Sequence, residues 1–192
     1  MTLEQLMQAT GASQWACEKY VEPLNAAMER FNISTPEQKA AFIATITIET
    51  GGLRWMEENL FYRNANRLAN IFKRVFNGDP KAAAPYVENP LALSEKLYNG
   101  YHGRGMIQLT WEKNYKACSD ALGVDFVAEP KLLKTPEYAA LSAAWFWHEN
   151  GCNEVADDMT KVTRIVNGPA LMHLKERQKQ YEIALVAFKD EV

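Results

Sequence analysis

Apolar positions along this chain recur mainly at helical spacing. Leu3, Leu6 and Met7 form the first short run, with Thr2 and Gln5 placed as a capping box and Gly11 as a stop. A second run starts near Ser13 and carries Trp15, Tyr20, Leu24, Met28 and Phe31, with Pro23 expected to kink or split it. Thr35-Pro36-Glu37-Gln38 supplies a capping threonine, a proline at the first helical position and a glutamine at the third, which predicts a helix from about Pro36 to Thr50. On that helix Phe42, Ile46 and Glu49 fall at i, i+4 and i+7, so Glu49 continues the apolar face.

Further along, a basic, Asn-rich helix is expected from Leu60 to Val75, ended by Asn77-Gly78-Asp79-Pro80. A turn over Tyr86 to Pro90 precedes a short helix through Leu93 to Tyr98. The stretch Asn99 to Gly105 is too glycine-rich for either regular element, and Met106 to Trp111 alternates as a strand would, placing Gln108 and Thr110 on one face. Helices then follow over Glu112 to Leu122, from Thr135-Pro136-Glu137 to Asn150-Gly151, from Asp157 or Asp158 to Asn167-Gly168-Pro169, and from Ala170 onward through Leu171, Leu174, Tyr181, Leu185 and Phe188. Aromatics on all sides of the Trp145-Phe146-Trp147 helix point to a buried one. The pattern describes a mainly α chain, one domain over 1–192, with a single small irregular β element lining a cleft. Residues 1–35 form a small N-terminal helical lobe in this reading, with packing as its role.

Composition narrows the class. The 192 residues are 47% hydrophobic and 23% charged, an ordinary globular balance able to bury a sizeable core. The net charge of -3 and the lack of a Lys/Arg run give no reason to expect nucleic acid. Arg63, Arg67, Lys73 and Arg74 gather locally, as a solvated helix face or as a patch for an anionic polymer. Cys17, Cys118 and Cys152 are odd in number and widely spaced, which describes buried thiols made in a reducing compartment. No basic, apolar signal segment opens the chain, and no apolar stretch is long enough to span a membrane. His102, His148 and His173 are scattered, and His148-Glu149 lacks the second histidine of a zinc helix, so neither metal nor cofactor is expected.

The candidate chemistry lies at Glu49-Thr50-Gly51-Gly52 and the acidic pair Glu57-Glu58. On one straight helix, residues nine apart would point to opposite sides, separated by roughly 13.5 Å along the axis. Two glycines let the chain turn back, which can set a second carboxylate across a cleft from Glu49. Paired carboxylates of this kind cleave glycosidic bonds; a separation of about 6.5–9.5 Å leaves room for a water and inverts the anomeric carbon, whereas about 5–5.5 Å retains it. Glu49, beside Ile46 on an apolar face, is the expected desolvated general acid, and Glu58, in a polar stretch, the expected base. These residues alone leave Glu57 or Glu58 open for the second role.

Four ordered motifs then carry a resemblance: Glu49-Thr50-Gly51-Gly52; Glu58-Asn59-Leu60-Phe61-Tyr62; Gly103-Arg104-Gly105-Met106-Ile107-Gln108-Leu109-Thr110 with Asn114-Tyr115; and Ile165-Val166-Asn167-Gly168. Together they resemble glycoside hydrolase family 19, the chitinase-like family that includes many bacteriophage endolysins, over about Pro36 to Tyr181. Ala144 to Trp147 and the Arg177…Tyr181 helix resemble the phage branch. The resemblance implies a lysozyme-like α+β fold and inverting hydrolysis of β-1,4 links between N-acetylated aminosugars. By position it implies Glu49 as general acid, Glu58 rather than Glu57 as general base, and Thr110 as the hydroxyl that helps hold the attacking water. It further implies Gln108, Asn114 and Asn167 as sugar-binding residues and Arg177 as an arginine of the acidic site. Ile48 departs from the family's frequent histidine before the acid.

The expected function is a peptidoglycan-cutting endolysin, a monomer made in the host cytoplasm and released to the wall through a separate membrane pore protein. Its partner is the peptidoglycan glycan strand, without nucleic acid, membrane insertion or cofactor. The alternatives are a chitinase acting on chitin, a lytic transglycosylase, and a secreted antibacterial effector of the same fold.

Overall fold

The computed structural model describes residues 1–189, and among these it is mainly helical with almost no strand. The order is α1 (Leu3–Thr10), α2 (Gln14–Arg30), α3 (Pro36–Glu49), α4 (Ala65–Ile71), α5 (Lys73–Phe76), α6 (Pro80–Ala83), α7 (Pro90–Tyr98), α8 (Glu112–Leu122), α9 (Pro136–Glu149), α10 (Met159–Asn167) and α11 (Leu174–Lys189), joined by turns and short 3-10 segments.

The centre of the fold is α3. Its start is fixed by a capping box in which Thr35 accepts from the Gln38 amide at 3.2 Å while Gln38 accepts from the Thr35 amide at 3.2 Å. Every residue from Ala40 to Thr47 is buried, so α3 is enclosed on all sides. It lies along α11; α1 also packs on α11, and α2 packs on α9. Residues of α1 and α2, among them Leu6, Cys17, Tyr20 and Leu24, belong to the same core as Phe42 and Trp147. The ring of Trp147 meets Phe42 edge-on at 5.4 Å, and its indole N–H donates to Asn153 at 2.8 Å. A second, smaller core of Leu60, Leu68, Phe76 and Leu93 forms beside it from the segments around α4 to α7. The three cysteines are free and buried, and burial pushes the Cys118 and Cys152 thiols up to about 12.

Four local expectations change. First, α2 runs unbroken through Pro23, because buried Tyr20, Leu24, Ala27 and Met28 on either side of the proline hold both halves on α9. Second, the basic helix expected from Leu60 begins only at Ala65, where the Asn64 side chain accepts from the Arg67 amide, and breaks at Phe72. Third, the last helix starts at Leu174, since Leu171 and His173 take left-handed backbone conformations (φ 49 and 58). The fourth is the strand over Met106 to Trp111, which is a hairpin turn. Arg104 and Leu109 pair through two backbone hydrogen bonds (3.1 and 2.9 Å), and Gly105 (φ 78) and Gln108 (φ 54) reverse the chain between them. Met106, Ile107 and Leu109 are all buried, so the apparent period-two pattern reflects a turn packed on α9. A second bridge from Arg104 to Glu57 completes the small β element.

Candidate active site

Glu49 is the last residue of α3, the point at which the apolar stripe leaves the core. Beyond it the chain closes a Schellman turn: the Gly52 amide donates back to the Thr47 carbonyl at 2.8 Å, with Gly51 at φ 58 and Gly52 at φ 79. The Thr50 hydroxyl then accepts from the Leu53 amide at 2.8 Å, which continues the reversal. This returns Trp55, Glu57 and Glu58 toward the end of α3. Glu49, Trp55, Glu57, Glu58, Asn59 and Gln108 line one cleft of 360 Å³. It adjoins a trough of 610 Å³ that shares Trp55, Glu57, Glu58 and Asn59 and extends to Lys19, Tyr20 and Arg54.

The surroundings of Glu49 differ from the apolar pocket expected of its helix face. Its Oε1 accepts from the Arg177 guanidinium and, at 3.3 Å, from the Asn167 amide; Arg177 also donates to Asn167 Oδ1 at 2.9 Å. Three helix-end regions meet here: the last residue of α3, the last residue of α10 and the first turn of α11. The Arg177 side chain is almost wholly enclosed, and its Nε donates to the Met172 carbonyl at 3.2 Å. Both side-chain contacts to Glu49 fall on Oε1, so Oε2 is the oxygen left for a ligand.

Glu58 is held differently. Its Oε1 accepts from the Tyr98 hydroxyl at 3.0 Å and its Oε2 from the Gly103 amide at 3.3 Å, while its own amide donates to the Gly103 carbonyl at 2.8 Å. Burial, and after it the Glu58 charge, push the Tyr98 hydroxyl up, which keeps it a proton donor. Glu57 has other commitments. Its Oε2 accepts from Lys134 at 2.7 Å, and its Oε1 from Arg104 at 3.2 Å and His102 at 3.0 Å. Burial would raise Glu57, but the hydrogen bonds from Lys134 and His102 and the Lys134 charge outweigh it and hold the carboxyl below the usual range. Of the two neighbouring carboxylates, Glu57 is bound into an ion network and Glu58 faces the cleft on neutral donors.

The Gly103-Arg104-Gly105 turn supports that network. Buried Arg104 donates to Glu57, to the Gly100 carbonyl at 3.1 Å and to the Tyr115 hydroxyl at 2.9 Å. Its Nη2 lies 3.3 Å from His102 Nδ1, and because a guanidinium can only donate, that nitrogen accepts and the ring proton sits on Nε2 facing Glu57. A Cβ on Gly103 would lie 2.9 Å from Gln108 Oε1 and 3.5 Å from Glu58 Cβ, so glycine lets the base candidate and Gln108 share one wall.

Of the residues singled out in the sequence, Glu49, Glu58 and Gln108 line the cleft, and Asn167 and Arg177 reach it through Glu49. Thr110 and Asn114 are not among the residues lining either cavity. The Thr110 hydroxyl donates to the Gln108 carbonyl at 2.9 Å, and Asn114 donates to the Thr110 carbonyl at 2.7 Å, so both brace the turn that carries Gln108. Sequence reasoning assigned no role to Tyr98, Trp55 or Lys134, and held Arg104 only as part of the Gly103-Arg104-Gly105 motif. A tryptophan three positions after the Gly-Gly turn was a usable signal for Trp55, which is exposed. Tyr98 carries no local signal.

A model of the glycoside hydrolase family 19 domain, described as chitinase class I, matches residues 31–164. This chain belongs to glycoside hydrolase family 19. A Haemophilus influenzae protein described as a glycosyl hydrolase family 19 domain-containing protein is 31% identical over 185 residues, covering 88% of this chain and 89% of that one. An endochitinase from Arabidopsis thaliana is 29% identical over 153 residues, covering 79% of this chain but 50% of the plant protein. The structure of chitinase C from Streptomyces griseus has the same fold, with a TM-score of 0.65 at 22% identity over 97% of this chain and 76% of that one. The family 19 member described here is therefore a glycoside hydrolase with a lysozyme-like fold. Helices α1 and α2, and α11 with Arg177, lie outside the residues matched by the family model.

Proposed function

We propose that this enzyme hydrolyses β-1,4 links in the glycan strands of bacterial peptidoglycan, as an endolysin, by an inverting mechanism. Glu49 donates a proton from Oε2 to the departing sugar oxygen, and Glu58 takes a proton from a water that attacks the anomeric carbon from the other side. Arg177 and Asn167 fix the Glu49 carboxyl; Tyr98 and the Gly103 amide fix Glu58. Gln108 contacts the sugar, and Thr110 and Asn114 act by holding the turn that presents it. The observation that carries the reading is that Glu49 and Glu58 line one cleft on separate sets of donors while Glu57 is consumed by Lys134, His102 and Arg104.

The endolysin assignment draws support from the resemblance of Ala144 to Trp147 and of the Arg177…Tyr181 helix to the phage branch, and from the near full-length match to a bacterial protein. In that role the enzyme is a monomer that accumulates in the host cytoplasm and reaches the wall through a separate pore. Chitin is the second reading, favoured by the printed names of the plant relatives. Digestion of purified peptidoglycan and of chitin oligosaccharides, with products identified by mass, separates them. Water-added, reducing-end fragments from peptidoglycan that vanish with Glu49→Gln are expected. Anhydro products would replace hydrolysis by a transglycosylase reaction, and cleavage of chitin alone would overturn the peptidoglycan substrate.

A further inference from the structure

The trough beside the two carboxylates is walled on one side by α2, which lies outside the residues 31–164 that the family model matches. Lys19 and Tyr20 of α2 and Arg54 from the turn after α3 line it, together with Trp55. The Lys19 ammonium lies 5.7 Å from the centroid of the Trp15 ring and 5.1 Å from that of Tyr20, so two aromatic faces flank it. Among the described residues neither Lys19 nor Arg54 has a carboxylate partner: Glu57 is taken by Lys134, His102 and Arg104, and Glu58 by Tyr98 and Gly103. Two cations without an ion-pair partner among the described residues thus line the trough that adjoins the proposed sugar-binding cleft. A chain of N-acetylglucosamine alone offers them only neutral oxygens. A strand bearing carboxylates does.

We infer that Lys19 and Arg54 form an anion subsite that takes the carboxylates hung on a peptidoglycan strand, and so set the preference of this cleft for a charged glycan over a neutral one. The inference rests on the peptidoglycan reading above. The carboxylates can come from the acidic stem peptide in intact wall, or from the lactyl group where the peptide has been removed. Both present the same group to the same wall.

The test compares soluble peptidoglycan strands with the same strands whose carboxylates have been converted to methylamides, at low and high salt. Wild-type enzyme is expected to cut the charged strands with kcat/KM about five- to tenfold higher, a preference that high salt erodes. Lys19→Gln/Arg54→Gln should treat the two alike, and Lys19→Arg/Arg54→Lys should restore the preference. Intact and peptide-stripped strands assayed in parallel tell stem-peptide from lactyl recognition. Equal cleavage of charged and amidated strands by the wild type, or a preference that survives the double Gln variant, overturns the subsite. No cleavage of either strand, with chitin oligosaccharides still cut, overturns the peptidoglycan reading itself.

Discussion

Arg177 donates to Glu49 across 128 positions of sequence, from inside the first turn of α11 to the last residue of α3. The contact joins the Glu49 end of the central helix to the helix that packs along it, so local geometry at the proposed acid and stability of the core share one residue. Arg177 Nη1 is buried without a hydrogen-bond partner among the described residues, which marks the guanidinium as placed for Glu49 and Asn167 and not for its own satisfaction. Arg177→Ala is expected to cost about 3–5 kcal/mol of stability, because it leaves a carboxylate facing an emptied, enclosed site. Arg177→Lys keeps the charge but cannot serve Glu49, Asn167 and the Met172 carbonyl together. Thermal melts and kcat of both variants check this: a wild-type melting temperature in Arg177→Ala would contradict it.

The Tyr98 hydroxyl points at Glu58, so its removal should act on the chemistry more than on the fold. Tyr98→Phe is expected to lower kcat about tenfold while costing about 1 kcal/mol in stability. If Tyr98 were only a packing residue, Tyr98→Phe would leave kcat unchanged. The anomeric form of the fresh product, followed by NMR, reports separately on whether the Glu49 and Glu58 pair inverts, and a product that keeps the β configuration would contradict the inverting mechanism.

Two glycines of one turn make opposite predictions. Gly103→Ala would drive a methyl against Gln108 Oε1 and close to Glu58 Cβ, so it should lower kcat/KM with a modest loss of stability. Gly105 sits at φ 78, where a Cβ would meet the Ser142 hydroxyl at 3.0 Å and the Leu133 carbonyl at 3.2 Å. Gly105→Ala should therefore destabilise by about 1–3 kcal/mol, with the activity of the remaining folded fraction nearer to normal. Active-site titration combined with melting curves distinguishes lost sites from slowed ones.

Much of this architecture was legible because it is written in local chemistry. Thr35-Pro36-Glu37-Gln38 begins α3 where its capping pattern places it, and Gly51-Gly52 turns the chain as two glycines allow. The Met106 to Trp111 segment misled because three buried apolar residues in a tight turn mimic strand alternation over so short a stretch. The apolar helix face correctly placed Glu49 at the edge of the core, but nothing local announces a guanidinium 128 residues away. Likewise the choice between Glu57 and Glu58 depends on Lys134, His102 and Arg104, which reach Glu57 from 77, 45 and 47 positions along the chain. Long-range pairing of charges leaves no periodicity for the sequence to show.

That same network predicts how stability responds to acid. His102 is buried, with Arg104 and Ser94 on Nδ1 and Glu57 on Nε2. Burial first, and the Arg104 charge next, push it below its ordinary value of 6.5 despite the pull of Glu57. As pH falls below 6.5 the unfolded chain takes up a proton that the folded chain does not, so stability declines from there downward. Glu57 adds a second decline. Its folded carboxyl is held below the ordinary 4.5, so its stabilisation is present above that value and lost as pH falls through the folded one. The expected melting-temperature profile is flat above 6.5, slopes down below it and steepens below 4.5. His102→Gln, which can still donate to Glu57 but cannot titrate, should remove the first slope and leave the second. A profile in which the first slope persists in His102→Gln would assign it to another group, and a rise in stability on acidification would contradict the neutral, Nε2-protonated histidine that the Arg104 contact requires.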